Sequence, residues 1–268
     1  MAVTRPAAVS GMFYPGEPSA LAAEVASYLA DVTTSAPATP PKAIIAPHAG
    51  YIYSGAIAAS IYARLRPLQG SVRRVVLAGP AHRVLVRGAA VTSASAFDTP
   101  LGPVAVDVEA TALLRELPFV EVSDAAHARE HSLEVHLPFL QSVLGEFRLA
   151  PVVVGDATPD QVASIYDLLW GGDETLIVVS SDMSHYLRYD EARLRDGRTA
   201  RAILDLRDEL EPEEACGAAP INGLLRVARR RGLRPEQVDL RNSGDTAGDR
   251  DRVVGYGAFA FHAPVAGA

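Results

Sequence analysis

The chain has 268 residues, 25 of them Lys or Arg and 32 Asp or Glu, giving a formal charge of −7; 49% are apolar and 21% charged. That balance belongs to a folded globular protein long enough to bury a core without disulfides, and it argues against a dedicated nucleic-acid binder, which needs clustered positive charge. No apolar run reaches the ~18 residues of a membrane span, no basic-then-apolar leader is present, and the single cysteine, Cys216, makes neither an intramolecular disulfide nor a Cys-rich zinc site. A cytoplasmic protein without a membrane partner is expected.

In chain order, residues 1–16 are too few for a domain, but Gly11–Pro15 (GMFYP) carries two aromatics and reads as an arm packed on the body. Thr33–Pro41 (TTSAPATPP) is the most linker-like stretch and joins a first helix to the first core strand. Lys42–Pro47 reads as a buried strand, Ser54–Leu65 as a helix and Arg73–Ala78 as a second strand. Ala89–Thr92 and Val104–Val106 read as short strands around the turn Thr99–Gly102. Asp107–Leu117 is helical, with Asp107 as N-cap. Ser132–Leu144 is helical if Pro138 falls in a first turn or at a kink. Arg148–Val154 is a strand, Pro159–Trp170 a helix and Thr175–Ser180 a strand. Asp190–Leu206 and Pro220–Arg231 are helices, and the basic residues Arg229–Arg231 and Arg234 suit a helix C-terminus. Gln237–Arg241 and Arg252–His262 are the last strands, and the alternating, Gly-rich run VVGYGAFAF has the look of an antiparallel member. Continuous apolar strands separated by helices predict one α/β domain over residues 1–268, a sandwich with a largely parallel or mixed central sheet flanked by helices.

In such sheets ligands gather beyond the carboxyl ends of the strands. Three core strands end in polar loops: Ala46–Tyr51 carries His48, Gly79–Arg83 carries His82, and Ser180–Tyr186 carries Asp182 and His185. A fourth loop, Asn242–Asp249, precedes the last strand and carries Asp245 and Asp249. Two imidazoles and a carboxylate form the facial set that holds non-haem Fe(II) with positions left open. His48 and His82 supply the imidazoles, and Asp245, Asp182 or Asp249 the carboxylate. In Asp124–Gln141 (DAAHAREHSLEVHLPFLQ), His127 and His131, like Glu130 and Glu134, are four apart and would share a helix face. The order is neither H-E-x-x-H nor H-x-x-E-H, so a protease-type zinc helix is disfavoured. The segment reads equally as a self-capping helix start or as groups that orient metal-bound imidazoles. Cys216, next to Glu213 and Glu214, reads as a buried inert thiol. G-x-S-x-G, P-loop and G-x-G-x-x-G patterns are absent.

Taken together and in order, RPAAVSGMFYP, APHAGYIYSG, GPAHR, EHSLEVHLPFLQ, SSDMSHY, NSGDTAGD and VVGYGAFAF resemble the Memo family in its prokaryotic form, protein B of the AmmeMemoRadiSam system, from about Arg5 to Phe261. The resemblance implies a fold like that of the LigB-type class III extradiol dioxygenases, in which two histidines and a carboxylate hold Fe(II) and a further histidine acts as acid and base. By motif, His48 and His82 match the metal histidines and His185 the acid/base. Asp182 recurs beside it, to orient it or approach the metal. The eukaryotic member has a cysteine ligand in the loop before the last strand; this chain has none there, and Asp245 occupies that region. A carboxylate suits Fe(II) or Mn(II) better than Cu(I), so Fe(II) is the expected ion, with Zn, Mn or Cu as options. Tyr51, His127, His131 and Glu134 would shape the pocket or support the ligands. The implied activity is that of an oxidoreductase acting on a small chelating substrate with O2; the alternative is a non-catalytic metal- or ligand-binding scaffold. The system's name implies radical SAM and AMMECR-type proteins as partners.

Overall fold

A computed structural model describes residues 3–33 and 39–264. Most of the linker-like stretch, residues 34–38, lies outside them. The elements run β1 (Thr4–Arg5), α1 (Pro18–Ala30), β2 (Ala43–Ala46), α2 (Tyr51–Tyr62), β3 (Arg74–Pro80), β4 (Ala89–Val91), β5 (Ala96–Phe97), β6 (Val104–Ala105), α3 (Val108–Leu114), β7 (Val120–Val122), α4 (Asp124–Ala128), α5 (His131–Glu134) and α6 (Leu137–Leu144). Then come β8 (Arg148–Val154), α7 (Pro159–Leu168), β9 (Thr175–Ser180), β10 (His185–Leu187), α8 (Tyr189–Leu204), α9 (Ala218–Arg231), β11 (Arg234–Asn242) and β12 (Val253–His262).

The main sheet has nine strands in the order β10-β12-β2-β9-β3-β8-β4-β7, with β11 also paired to β12; β1, β5 and β6 form a small second sheet. The central strands β2, β9, β3 and β8 are parallel, while β12 runs antiparallel to β2, β10 and β11. The sheet is therefore mixed, as the apolar runs and the alternating last strand predict. Side chains along the central strands alternate between two cores. Ile44, Val75, Leu77, Leu176 and Val178 pack with Leu21 and Val25 of α1, Ile57 and Ile61 of α2, and Phe139 and Leu140 of α6. Ile45, Val76, Ala78, Ile177 and Val179 pack with Val162 and Ile165 of α7 and Ile221, Leu224 and Leu225 of α9. Each fully buried Ile, Leu or Val contributes roughly 1.5–3 kcal/mol, which is why strands of only four to seven residues hold their register.

Several boundaries differ from the sequence reading, each for a local reason. Helix α2 starts at Tyr51 rather than Ser54, because the Gly50 carbonyl already accepts the N–H groups of Tyr53 and Ser54. The helix expected over Ser132–Leu144 is two helices, α5 and α6, interrupted at Val135–His136. Pro138 then sits in the first turn of α6, where a missing N–H costs no hydrogen bond. Asp107 does cap α3, its carboxylate accepting the Ala110 N–H at 2.9 Å. Among the described residues, no helix is long and apolar enough to cross a membrane.

Candidate metal centre

Strands β2, β9 and β3 are parallel neighbours, with Ala46 opposite Ser180 and Ala78 opposite Val179. Their carboxyl ends share one edge of the sheet, so the loops that follow meet there. Helix α5 reaches the same edge because Gly79 has no side chain: a Cβ there would fall 2.9 Å from both Leu133 Cδ2 and Ser132 Oγ.

His48, buried at 2% exposure, is fixed from two sides. Its backbone N–H donates to Asp182 Oδ1 at 2.8 Å, and its Nδ1 lies 2.6 Å from Ser180 Oγ. The Ser180 hydroxyl donates its only proton to the Ser132 carbonyl at 2.6 Å. Nδ1 of His48 must therefore carry the proton given to Ser180, which leaves the lone pair on Nε2. His82 is set the same way by a different group. Its backbone N–H donates to Glu130 Oε2 at 2.6 Å, and Nδ1–H donates to Glu130 Oε1 at 2.8 Å. Burial would raise the Glu130 carboxyl, but hydrogen bonds from His82 and from the Ser132 N–H outweigh it and hold it at about 2. Glu130 is thus an ionised acceptor that also N-caps α5, the arrangement by which carboxylates orient metal-binding imidazoles.

His131, the first residue of α5, completes the cluster. One ligand atom from each of His48, His82 and His131 lies within 4.8 Å of the others. The His82 and His131 rings stack at 4.7 Å, and His48 meets both edge-on at 5.1 and 5.4 Å. Nδ1 of His131 is buried without a hydrogen-bond partner. Burial, reinforced by the neighbouring imidazoles, holds His48 well below the usual histidine range and brings His131 down to about 4. Both are neutral near pH 7, the state in which imidazole binds metals.

Other sequence-predicted residues surround this set without joining it. Asp182 is buried, and burial pushes its carboxyl up to about 7; its Oδ2 stands 3.9 Å from His48 Nε2. His185 starts β10, half-buried, and burial lowers its basicity. Asp245 is not brought to the cluster. Its carboxylate accepts the Asn242 N–H at 3.0 Å and the Tyr189 hydroxyl, closing a capping box at the end of β11. Asp249 likewise accepts the N–H groups of Asp251 and Arg252 in an exposed turn. The carboxylate expected from that loop is replaced at the cluster by the third imidazole, His131.

Of the remaining residues, Tyr51 is core, its hydroxyl donating to the Val135 carbonyl at 2.8 Å. His127 turns to the sheet, with Nε2 3.1 Å from the Ala90 carbonyl and its ring against Phe97. Glu134, fully buried, anchors the N-terminal arm: it accepts from Arg5, the Tyr14 hydroxyl at 2.6 Å and the N–H groups of Ala8 and Val9 at 2.7 and 2.9 Å. The arm reaches the site too, since Phe13 packs 4.9 Å from the His131 ring. Ser180 and Cys216 escape the sequence reading, while Glu130 figures in it only as one of several polar groups in Asp124–Gln141. Ser180 and Glu130 set the tautomers of His48 and His82, and Cys216 places its Sγ 3.4 Å from His48 Nε2. For Glu130 the available signal is its place directly ahead of His131 in a helix start. Cys216 has no signal beyond the Gly217 that follows it.

A family model described as Memo-like protein matches residues 5–260. Among curated relatives, a MEMO1 family protein of Sulfolobus acidocaldarius is 36% identical, aligned over 93% of this chain and 96% of its own. One from Aquifex aeolicus is 36% identical over 94% and 97%, and one from Aeropyrum pernix 39% over 81% and 82%. A crystal structure of the uncharacterized protein JW3007 from Escherichia coli K12 aligns with a TM-score of 0.48 at 13% identity, covering 80% of this chain and 98% of that one; a likeness that low carries no argument. Matched over nearly all its length by the family model and by relatives above 30% identity, the chain belongs to the Memo-like protein family.

Proposed function

We propose that this protein is a non-haem Fe(II) oxidoreductase of the extradiol-dioxygenase type, with the ion held by His48, His82 and His131. The observation that carries the reading is the cluster itself: three imidazoles converge within 4.8 Å, and two of them are held through Nδ1 by Ser180 and Glu130. Nδ1 of His131, buried without a hydrogen bond and 3.4 Å from Glu130 Oε1, fits the same purpose, because a polar atom left unpaired in the interior costs about 1–3 kcal/mol. The motif resemblance to LigB-type enzymes supports the choice of reaction, and an all-nitrogen donor set is compatible with iron, zinc or copper.

Bound Fe(II) would supply open positions at which a chelating substrate and O2 meet. The chain's own residues then have separate tasks. Asp182 Oδ1 holds the His48 loop through the His48 N–H. His185, whose basicity is lowered by burial, is neutral near pH 7 and takes a proton from a substrate hydroxyl on an imidazole nitrogen, returning it later. Phe13 packs beside His131 and limits water on that side.

The test is metal analysis of protein purified without oxygen, followed by O2 uptake with catechols and related diols. One iron per chain, lost in His48→Ala and His131→Ala and kept in Asp245→Ala, supports the centre. O2 uptake lost in His185→Ala with the iron retained supports the reaction. Stoichiometric metal without turnover on any chelating diol would move the assignment to a binding role beside radical SAM and AMMECR-type proteins. A metal-free wild type that also refuses Fe(II) would end the metal reading.

A further inference from the structure

His185, given the proton-transfer task above, stands in a turn that its own sequence does not favour. Tyr186, directly after it, has φ +59°. That left-handed conformation is strained for a bulky residue and persists only where the surroundings impose it. The pairing of β10 with β12 also slips here, with a register shift between His185 and Leu187. The Tyr186 ring is exposed, lying against Arg252, so burial of that ring does not hold the turn. The hold comes from the residues just before His185. Asp182, earlier in the same segment, accepts the His48 N–H at 2.8 Å, so any shift of the turn moves His185 relative to the histidine cluster.

Two of the backbone bonds run to β12: the Met183 N–H donates to the Gly255 carbonyl, and the Gly255 N–H donates to the Ser184 carbonyl, both at 2.8 Å. The third comes from a helix. The Ser184 N–H donates to Asp196 Oδ1 of α8 at 3.0 Å. Asp196 is buried at 2% exposure, and a Cβ on Gly255 would overlap its Oδ2 and fall 2.6 Å from its Cγ. The carboxyl therefore lies on the β12 backbone in space that only a glycine leaves open. Burial pushes this carboxyl above its ordinary range, so the fold keeps it there against the cost of removing it from water. A buried acid retained on those terms is a common mark of a functional position.

We propose that Asp196 is a positioning residue for His185: by holding the Ser184 N–H over Gly255, its carboxyl fixes the turn that presents the imidazole to substrate. This rests on the function proposed above and deepens it. Without the acceptor, Ser184 is released, Tyr186 relaxes out of the left-handed region and His185 swings with it. His48, His82 and His131 sit on other segments and keep their places. Misplacing a reacting group by about 1 Å costs about 100-fold in rate. Asparagine retains an oxygen where Oδ1 stands, and alanine does not.

Two measurements on the full-length protein test this. The first follows the His185 ring protons by NMR against pH in metal-free protein, the signal being assigned by its loss in His185→Ala. In Asp196→Ala the His185 midpoint should rise from its depressed position toward the ordinary value of about 6.5, as the turn loosens and the ring meets water. In Asp196→Asn it should stay. Gly255→Ala, whose Cβ displaces the carboxyl, should reproduce the alanine pattern and gives a second route to the same loss. The other measurement is O2 uptake with catechol after loading with Fe(II) under argon. Asp196→Ala should keep its iron and its KM while kcat falls about 10- to 100-fold, and Asp196→Asn should recover most of kcat. In the His185→Ala background, Asp196→Ala should lower the residual rate no further, because the two residues act as one unit. A further loss there, or an unmoved His185 midpoint in both Asp196→Ala and Gly255→Ala, would overturn the proposal. An iron-loaded wild type that consumes no O2 would overturn the oxidoreductase reading instead, and the NMR titration would still decide whether Asp196 positions His185.

Discussion

Two polar loops at the same sheet look alike in sequence and behave differently in three dimensions. The first region, built from the turns after β2 and β3 and the start of α5, gathers His48, His82 and His131. The second, Asn242–Asp249, is richer in carboxylates and glycines, yet its acidic groups are occupied close to home: Asp245 by the Asn242 N–H and Tyr189, Asp249 by the N–H groups of Asp251 and Arg252. In the first region, His48 and His82 make their hydrogen bonds to Ser180 and Glu130 through Nδ1. In the second, hydrogen bonds engage both oxygens of Asp245 and Oδ1 of Asp249. What separates a ligand set from a cap is therefore which atoms remain unpaired, more than which residue types are present.

The largest expected effect tests that contrast directly. His48→Ala, His82→Ala and His131→Ala should each bring metal content from about one ion per chain to near zero, while Asp245→Ala keeps it; loss of metal in Asp245→Ala would break the contrast. Next comes Glu134, which looks like Glu130 in sequence but anchors the arm. Glu134→Ala leaves the Arg5 guanidinium buried without its partner and should cost about 3–5 kcal/mol in urea denaturation of the metal-free protein. Histidines outside the cluster sharpen the comparison through pH. Burial lowers His127 to about 4 and His136 to about 3. The unfolded chain therefore binds more protons than the native state below the ordinary value near 6.5, and stability present above pH 6.5 should be lost as pH falls toward 4. The slope should be about 1.4 kcal/mol per pH unit for each; His127→Gln and His136→Gln should flatten the curve. Glu130→Gln should weaken metal binding about 10- to 100-fold, the usual effect of removing a partner that orients a ligand; an unchanged affinity would remove Glu130 from the centre. Smallest is Asp245→Ala, whose lost cap should lower stability by about 1 kcal/mol with no change in metal content.

The architecture was legible because burial writes itself into pattern. Lys42–Pro47, Arg73–Ala78, Arg148–Val154 and Thr175–Ser180 are unbroken apolar runs, and all four are central strands within a residue or two. The elements that went unseen are β1, β5, β7, α4 and β10, of two to five residues each, too short for either period to show. At the site, His48 and His82 were legible from their place after strands. His131 was visible only as one of several polar residues in Asp124–Gln141, because its contribution depends on a break between α5 and α6 that no periodicity announces. Cys216 was unreadable for a stronger reason: its partner His48 is 168 residues away, and the turn that carries it shows no pattern until it is seated on β9.

The N-terminal arm also imposes an order of events. Arg5 and Glu134 are 129 residues apart, so during synthesis at about 5–20 residues per second the arm must wait roughly 6–26 s for the carboxylate that receives it. Until then Phe13 and Tyr14 have no seat, and α5, which brings His131 to the cluster, has not been made. This early-made segment thus waits until about half the chain has been synthesised, and the three-imidazole centre cannot be loaded before His131 has emerged.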